Sequence, residues 1–126
     1  KNIKHQEIVD ELVKVKETDP VKVNFIGKTY KRDNKTIALI KMLRQFKCQI
    51  CGYKLLKKNG EYYCEAAHIK QKSKKGTEIP ENILILCPNH HKEFDLGDKN
   101  ILSYDKNSIK FILNNHEFTI DLSIQQ

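Results

Sequence analysis

A chain of 126 residues has room for one domain with a modest core, not for two independent ones, and is short enough for a metal staple to matter to its stability. Its 23 Lys and Arg against 16 Asp and Glu give a formal charge of +7, which favours a polyanionic partner over a cationic one; a lysine-rich surface that only confers solubility is the plain alternative. No apolar run approaches the roughly 20 residues that span a bilayer and no signal-peptide pattern opens the chain, so the expectation is a cytoplasmic protein, not a membrane protein.

Ile8, Val9, Leu12 and Val13 fall on one face of a helix predicted over 3–16, which Asp19-Pro20 stops. Val21, Val23 and Phe25 alternate as a short strand does, and Gly27 marks a turn before Thr29-Tyr30. Asn34 is placed to cap a second helix with Ile37, Ile40, Leu43 and Phe46 as its apolar stripe and Lys41, Arg44 and Lys47 mostly outside. From Cys48 the elements shorten. Lys57 to Gly60 reads as a hairpin bend before Tyr62-Tyr63-Cys64, and the lysine-rich stretch from Lys70 to Glu78 as a polar loop. Ile83 to Leu86 is a short apolar run, and Pro88 suits the first turn of a helix. Beyond it Ile101–Tyr104, Ile109–Leu113 and Phe118–Leu122 read as a meander broken at 105–108 and 114–115.

Cys48-x2-Cys51 and Cys87-x2-His90, 35 residues apart, are two pairs of the spacing at which a tight knuckle points both side chains at one ion, and tetrahedral zinc accepts thiolate and imidazole in such a mixture. Four cysteines without secretory features read more readily as metal ligands than as disulfides. Cys64 could stand in for His90 as fourth ligand; alone on an apolar strand it reads more simply as core. A second group is His68, Asn82, His91 and Asp95. On a helix after Pro88, His91 and Asp95 share a face, while His90 and His91 point about 100° apart, so neighbouring histidines can serve two different ions. On spacing alone His91 and Asp95 could equally be a surface pair.

The run CEAAHI at 64–69, Asn82 in PENILILC and the segment CPNHHKEFD together resemble the HNH endonucleases of the ββα-metal, or His-Me finger, superfamily, most closely the HNH domains of restriction enzymes, over residues 48–97. The resemblance implies that His68 is the general base, that Asn82 braces the loop holding it, and that His91 binds a catalytic divalent ion. Asp95 matches a position where some members place another metal ligand, and Cys48, Cys51, Cys87 and His90 match the structural zinc knuckles. The chain departs from the pattern at Ala67, where many members have a metal-binding Asp or His. Glu65, two residues earlier on the same side of a strand and about 6–7 Å along it, is long enough to lean toward the ion.

These roles suit phosphodiester hydrolysis. A neutral imidazole takes a proton from water near neutral pH, and a hard cation held by few protein ligands, Mg²⁺ or, with an imidazole ligand, Mn²⁺, Co²⁺ or Ni²⁺, leaves positions open for phosphate oxygens. Lys70, Lys72, Lys74, Lys75 and Lys92 flank the centre and could hold a double-stranded DNA backbone; any one of them could equally be a solvated loop residue. The expected fold is α+β: an HNH ββα-metal core at 48–97 stapled by a structural zinc, an N-terminal helix-and-strand extension at 1–47 and a C-terminal β-meander at 98–126, in one globular unit. The expected function is a metal-dependent DNA endonuclease, the cleavage domain of a type II or modification-dependent restriction enzyme, with a homodimer or an additional recognition domain completing it. The rival readings are a zinc-stabilised nucleic-acid-binding module without activity, favoured by Ala67, and a purely structural zinc domain.

Overall fold

Ile83, Leu84, Ile85 and Leu86 are all fully buried, and a strand without a polar side needs core on both faces. The computed structural model, which describes residues 5–16, 22–25, 28–70 and 79–123, supplies that core. The described elements are, in order, helix α1 (His5–Lys16), strands β1 (Lys22–Phe25) and β2 (Lys28–Lys31), helix α2 (Arg32–Leu43), strands β3 (Leu55–Leu56), β4 (Tyr62–Tyr63), β5 (Glu65–His68) and β6 (Ile83–Leu86), helix α3 (Pro88–Leu96), and strands β7 (Lys99–Tyr104), β8 (Ser108–Leu113) and β9 (His116–Asp121).

Strands β5 and β6 pair antiparallel, with Glu65 opposite Leu86, Ala67 opposite Leu84 and His68 opposite Ile83. On one face Ala67, Leu84 and Leu86 join Phe94 of α3 and Ile109, Phe111, Leu113, Ile120 and Leu122 of the C-terminal sheet. On the other, Ile83 and Ile85 meet Ile8 and Leu12 of α1, Leu39 and Ile40 of α2, and Cys64. The two N-terminal helices are also joined by an ion pair, Lys35 Nζ to Glu11 at 2.9 Å, with Lys35 buried. Removing either partner would strand a charge away from water, so the pair fixes the alignment of α1 on α2. Together β5, β6 and α3 form the expected ββα unit inside an α+β fold.

The connections follow from turn chemistry. Helix α2 ends with Gln45 and Phe46 at φ of 62° and 58°; Phe46 N–H bonds back to Lys41 O and Gln45 N–H to Met42 O, the Schellman arrangement that satisfies the last carbonyls of a helix. Phe46 is therefore beyond the helix, and α2 starts two residues before Asn34 rather than after it. The β3–β4 hairpin bends through Gly60 at φ of 90°, as the sequence predicts. In the β8–β9 hairpin Asn114 and Asn115 both have positive φ, the left-handed pair that a two-residue turn demands and asparagine tolerates. A side chain at Gly97 would meet Glu93 O at 2.7 Å and Asn114 Nδ2 at 2.8 Å, so α3 closes against this hairpin only with glycine there. The turn predicted at Gly27, the helix stop at Asp19-Pro20 and most of the 70–78 loop lie outside the described residues.

Arg44 differs from expectation. It is half-buried, and its guanidinium donates to Ile83 O at 2.5 Å, Pro80 O at 3.1 Å and Leu122 O at 3.2 Å. The helical wheel put it outside, but it stands past the last residue of α2, where the Schellman turn redirects the chain.

Phe94 is fully buried and lies edge-to-face on Phe111, ring centroids 5.4 Å apart. Phe94→Ala is expected to lower unfolding free energy by about 3–5 kcal/mol, read by urea titration of the zinc-loaded protein.

Candidate active site and metal centre

The knuckle Cys48–Tyr53 closes through Gly52 N–H to Cys48 O at 2.7 Å and Cys48 N–H to Tyr53 O at 3.0 Å. Gln49 anchors it to β6, its backbone N–H donating to Ile85 O at 2.8 Å and its Oε1 accepting from Ile85 N–H at 2.7 Å. At the far end of β6, Cys87 caps α3: its sulfur accepts from His90 N–H at 3.5 Å. The four ligand atoms of Cys48, Cys51, Cys87 and His90 all lie within 4.8 Å of one another. Cys48 Sγ is 3.6 Å and Cys87 Sγ 3.4 Å from His90 Nδ1, and Cys51 Sγ is 4.0 Å from Cys87 Sγ. Zn–S bonds of about 2.3 Å imply tetrahedron edges of about 3.8 Å, so the group fits a zinc ion.

The two knuckle thiols differ in their electrostatics. Burial pushes the Cys48 thiol up, but backbone amides of Cys87, Cys51 and Ile50 and the Cys51 side chain outweigh it and hold Cys48 below the usual thiol value. Desolvation, with the sulfurs of Cys48 and Cys87 alongside, pushes Cys51 up to about 11. A zinc ion held here would favour the thiolate form of its cysteine ligands. On the outer side, His90 Nε2 is 3.9 Å from Glu93, whose other oxygen accepts from Asn114 Nδ2 at 2.8 Å; such partners orient a ligating ring. Cys64 is outside the group, buried in the α1–α2 core, where burial raises its thiol pKa.

The second group is divided between the two sides of β5. Ala67 is fully buried in the core beneath α3, so position 67 is a packing position. Strand alternation sets Glu65 on the same side, and there it meets α3: His91 Nδ1 lies 2.7 Å from Glu65 Oε1. The other ring nitrogen, Nε2, is 3.3 Å from Asp95 Oδ2, one helical turn on. The carboxylates thus face opposite nitrogens of one imidazole. Tyr63, an exposed residue that the sequence gave no reason to single out, donates its hydroxyl to Glu65 Oε2 at 2.7 Å; that bond and His91 hold Glu65 below the usual carboxylate range. His68 ends β5, half-buried.

Asn82 is 2% exposed, the last residue of a single 3-10 turn, Pro80–Asn82. Its Oδ1 accepts from Lys70 N–H at 2.7 Å, its Nδ2 donates to Lys70 O at 3.0 Å, and its own carbonyl accepts from Ile69 N–H at 2.9 Å. It therefore clasps the backbone immediately after His68. Among the expected DNA-contacting lysines, Lys70 and Lys92 are exposed, and Lys72, Lys74 and Lys75 lie outside the described residues. No helix among the described residues is long and apolar enough to cross a membrane.

Cys48→Ser is expected to remove zinc and, with it, the cooperative near-ultraviolet signal of the fold, whereas Cys64→Ser should retain one zinc per chain by elemental analysis.

A sequence model of the HNH endonuclease family matches residues 48–98. Among curated proteins, the type IV methyl-directed restriction enzyme EcoKMcrA of Escherichia coli (strain K12) is 32% identical over 95 residues, 74% of this chain and 31% of that protein. Among solved structures, the modification-dependent TagI restriction endonuclease shares 30% identity at a TM-score of 0.50, over 65% of this chain and 28% of the other. The chain spans less than a third of the length of either relative. With the ββα unit and a Cys3His group that fits zinc in place, residues 48–98 form an HNH-type domain similar to those of restriction endonucleases.

Proposed function

We propose that the chain acts as a metal-dependent DNA endonuclease, the cleavage module of a modification-dependent or type II restriction enzyme. The observation that carries this reading is the meeting of Glu65, His91 and Asp95 at the start of the strand whose other end, after His68, Asn82 clasps. A packed structural zinc domain has no need of two carboxylates on one half-buried imidazole, nor of a buried amide spent on the backbone after a strand.

Glu65 and the Nδ1 of His91 are the pair we assign to the catalytic ion. Their 2.7 Å separation is close to the roughly 3 Å between adjacent ligands of an octahedral ion with bonds near 2.1 Å. Asp95 on Nε2 then fixes the tautomer and ring plane, the usual service of a carboxylate to a ligating histidine. When bound, Mg²⁺, or Mn²⁺, Co²⁺ or Ni²⁺, polarises the scissile phosphate and relieves charge at the departing oxygen. His68 takes the proton from the attacking water, and Asn82 keeps the backbone behind His68 from yielding. Lys70 and Lys92, with Lys72, Lys74 and Lys75 of the adjoining segment, neutralise backbone phosphates without reading bases. Target recognition then falls to residues outside 48–98, a further domain or a second copy; the methyl-directed and modification-dependent relatives make a modified base the first substrate to try.

The burial of Ala67 bears on the rival reading. A binding-only module is what remains if no carboxylate replaces the family's ligand there; Glu65 already reaches His91 from the same side of the strand.

Supercoiled plasmid incubated with each of the four divalent ions tests the proposal. Wild type should nick or linearise it, and His68→Ala and His91→Ala should each lose at least about 100-fold in rate. Intact plasmid with every ion, from zinc-loaded protein that still binds DNA, would establish the binding module instead. Of the two carboxylates, Glu65→Gln should abolish cleavage, whereas Asp95→Asn should weaken Mn²⁺ affinity by about 10- to 100-fold, measured by calorimetry.

A further inference from the structure

The turn that carries Asn82 is gripped by two side chains from outside residues 48–98. Arg44, at the end of α2, donates Nη2 to Pro80 O and Nη1 to Ile83 O. Tyr104, the last residue of β7, donates its hydroxyl to Glu81 O at 2.8 Å, with Asn82 Oδ1 3.3 Å away. Because Asn82 O already accepts from Ile69 N–H, each of the four consecutive carbonyls from Pro80 to Ile83 has a partner. Two of the four rely on Arg44 or Tyr104 alone among the described hydrogen bonds, since Pro80 O also receives the Ile83 N–H.

Both grips are anchored at their far ends. The Arg44 guanidinium also reaches Leu122 O at 3.2 Å and Gln49 Oε1 at 3.3 Å, so one planar fork ties the Asn82 turn to the end of the C-terminal sheet and to the zinc knuckle. Burial lowers its pKa to about 10, opposed by Asp121 and Glu81, and it remains a cation at neutral pH. Tyr104 packs against the core beneath α3, and Lys70 Nζ stands 5.7 Å from its ring centroid. A guanidinium bonded to several backbone carbonyls imposes a geometry that a lysine's point charge does not.

We propose that Arg44 and Tyr104 are positioning residues of the nuclease site: they fix the 80–83 turn so that the Asn82 carboxamide can hold the Ile69–Lys70 backbone, and through it His68, in register for proton transfer. This rests on the roles given above to His68 and Asn82, and extends the working site beyond the matched segment into both flanks of the chain.

The experiment uses the full zinc-loaded chain. Tyr104→Phe removes one hydroxyl, and Arg44→Lys keeps the charge while losing the fork. Each should lower kcat on plasmid DNA on the order of 10-fold with KM and zinc content unchanged. In an Asn82→Ala background neither should lower it further, because their effect passes through that amide. Hydrogen exchange gives a reading that needs no activity: the Ile69 and Lys70 amides should exchange at least about 10-fold faster in both variants, while the Ala67 and Leu84 amides, paired in the β5–β6 ladder, keep their protection. Equal losses with and without Asn82, or unchanged exchange at Ile69 and Lys70, would overturn the proposal. Absence of cleavage by wild type would instead overturn the nuclease reading, with exchange still deciding whether the grip exists.

Discussion

A two-stranded ladder with core on both faces is the constraint on which the rest depends. Four residue pairs fix β5 against β6, and the residues of chemical interest are the ends of those strands or their neighbours: Glu65 and His68 on β5, Asn82 just before β6 and Cys87 just after it. A slip of one residue would turn every side chain to the opposite face, carrying Ile83 and Ile85 toward α3 and the fully buried Ala67 toward α1 and α2. Neither core would accept the exchange, so burial sets the register, and register sets the spacing of His68, Asn82 and Cys87.

Around that ladder the polar interior is sparse, and its members are used at junctions. Lys35 with Glu11 aligns the N-terminal helices, Asn82 clasps the chain after β5, and Gln49 fastens the zinc knuckle to β6. Each spends its hydrogen-bonding capacity on a specific partner, as a buried polar group must, since an unmade bond there costs about 1–3 kcal/mol. The zinc site extends this logic. The four side chains that fit zinc come from two places in the chain, so an ion held there would couple metal binding to folding.

Much of this was legible in the sequence because it is local. The spacing of the paired cysteines, the helix begun by Pro88, the hairpins at Gly60 and Asn114-Asn115 and the divergent directions of His90 and His91 all follow from backbone periodicity and turn preference. The typed order His68, Asn82, His91 supplied the family resemblance. What escaped was non-local. Arg44 reads as an exposed helical residue because its position on the wheel assumes a helix that in fact ends one residue before it. Tyr63 and Tyr104 are unremarkable strand aromatics until folding brings their hydroxyls to Glu65 and to the Asn82 turn. Ala67 reads as a lost ligand, whereas its environment makes it a core residue.

The junction at Cys87 has a consequence for how this segment can change. That sulfur caps α3 and belongs to the group that fits zinc, its residue directly follows β6, and His91 follows it by a little over one helical turn. Substitutions on the outer face of α3 leave this arrangement alone, and Leu96, 81% exposed, shows how much of that face is open. A change of length does not. Inserting or deleting one residue between Cys87 and His91 would rotate the imidazole about 100° around the helix axis while Cys87, at the end of the buried β6, stayed in place, pointing it away from Glu65. The segment is therefore permissive in letters and rigid in length: drift in composition is tolerated where a single-codon gap is not.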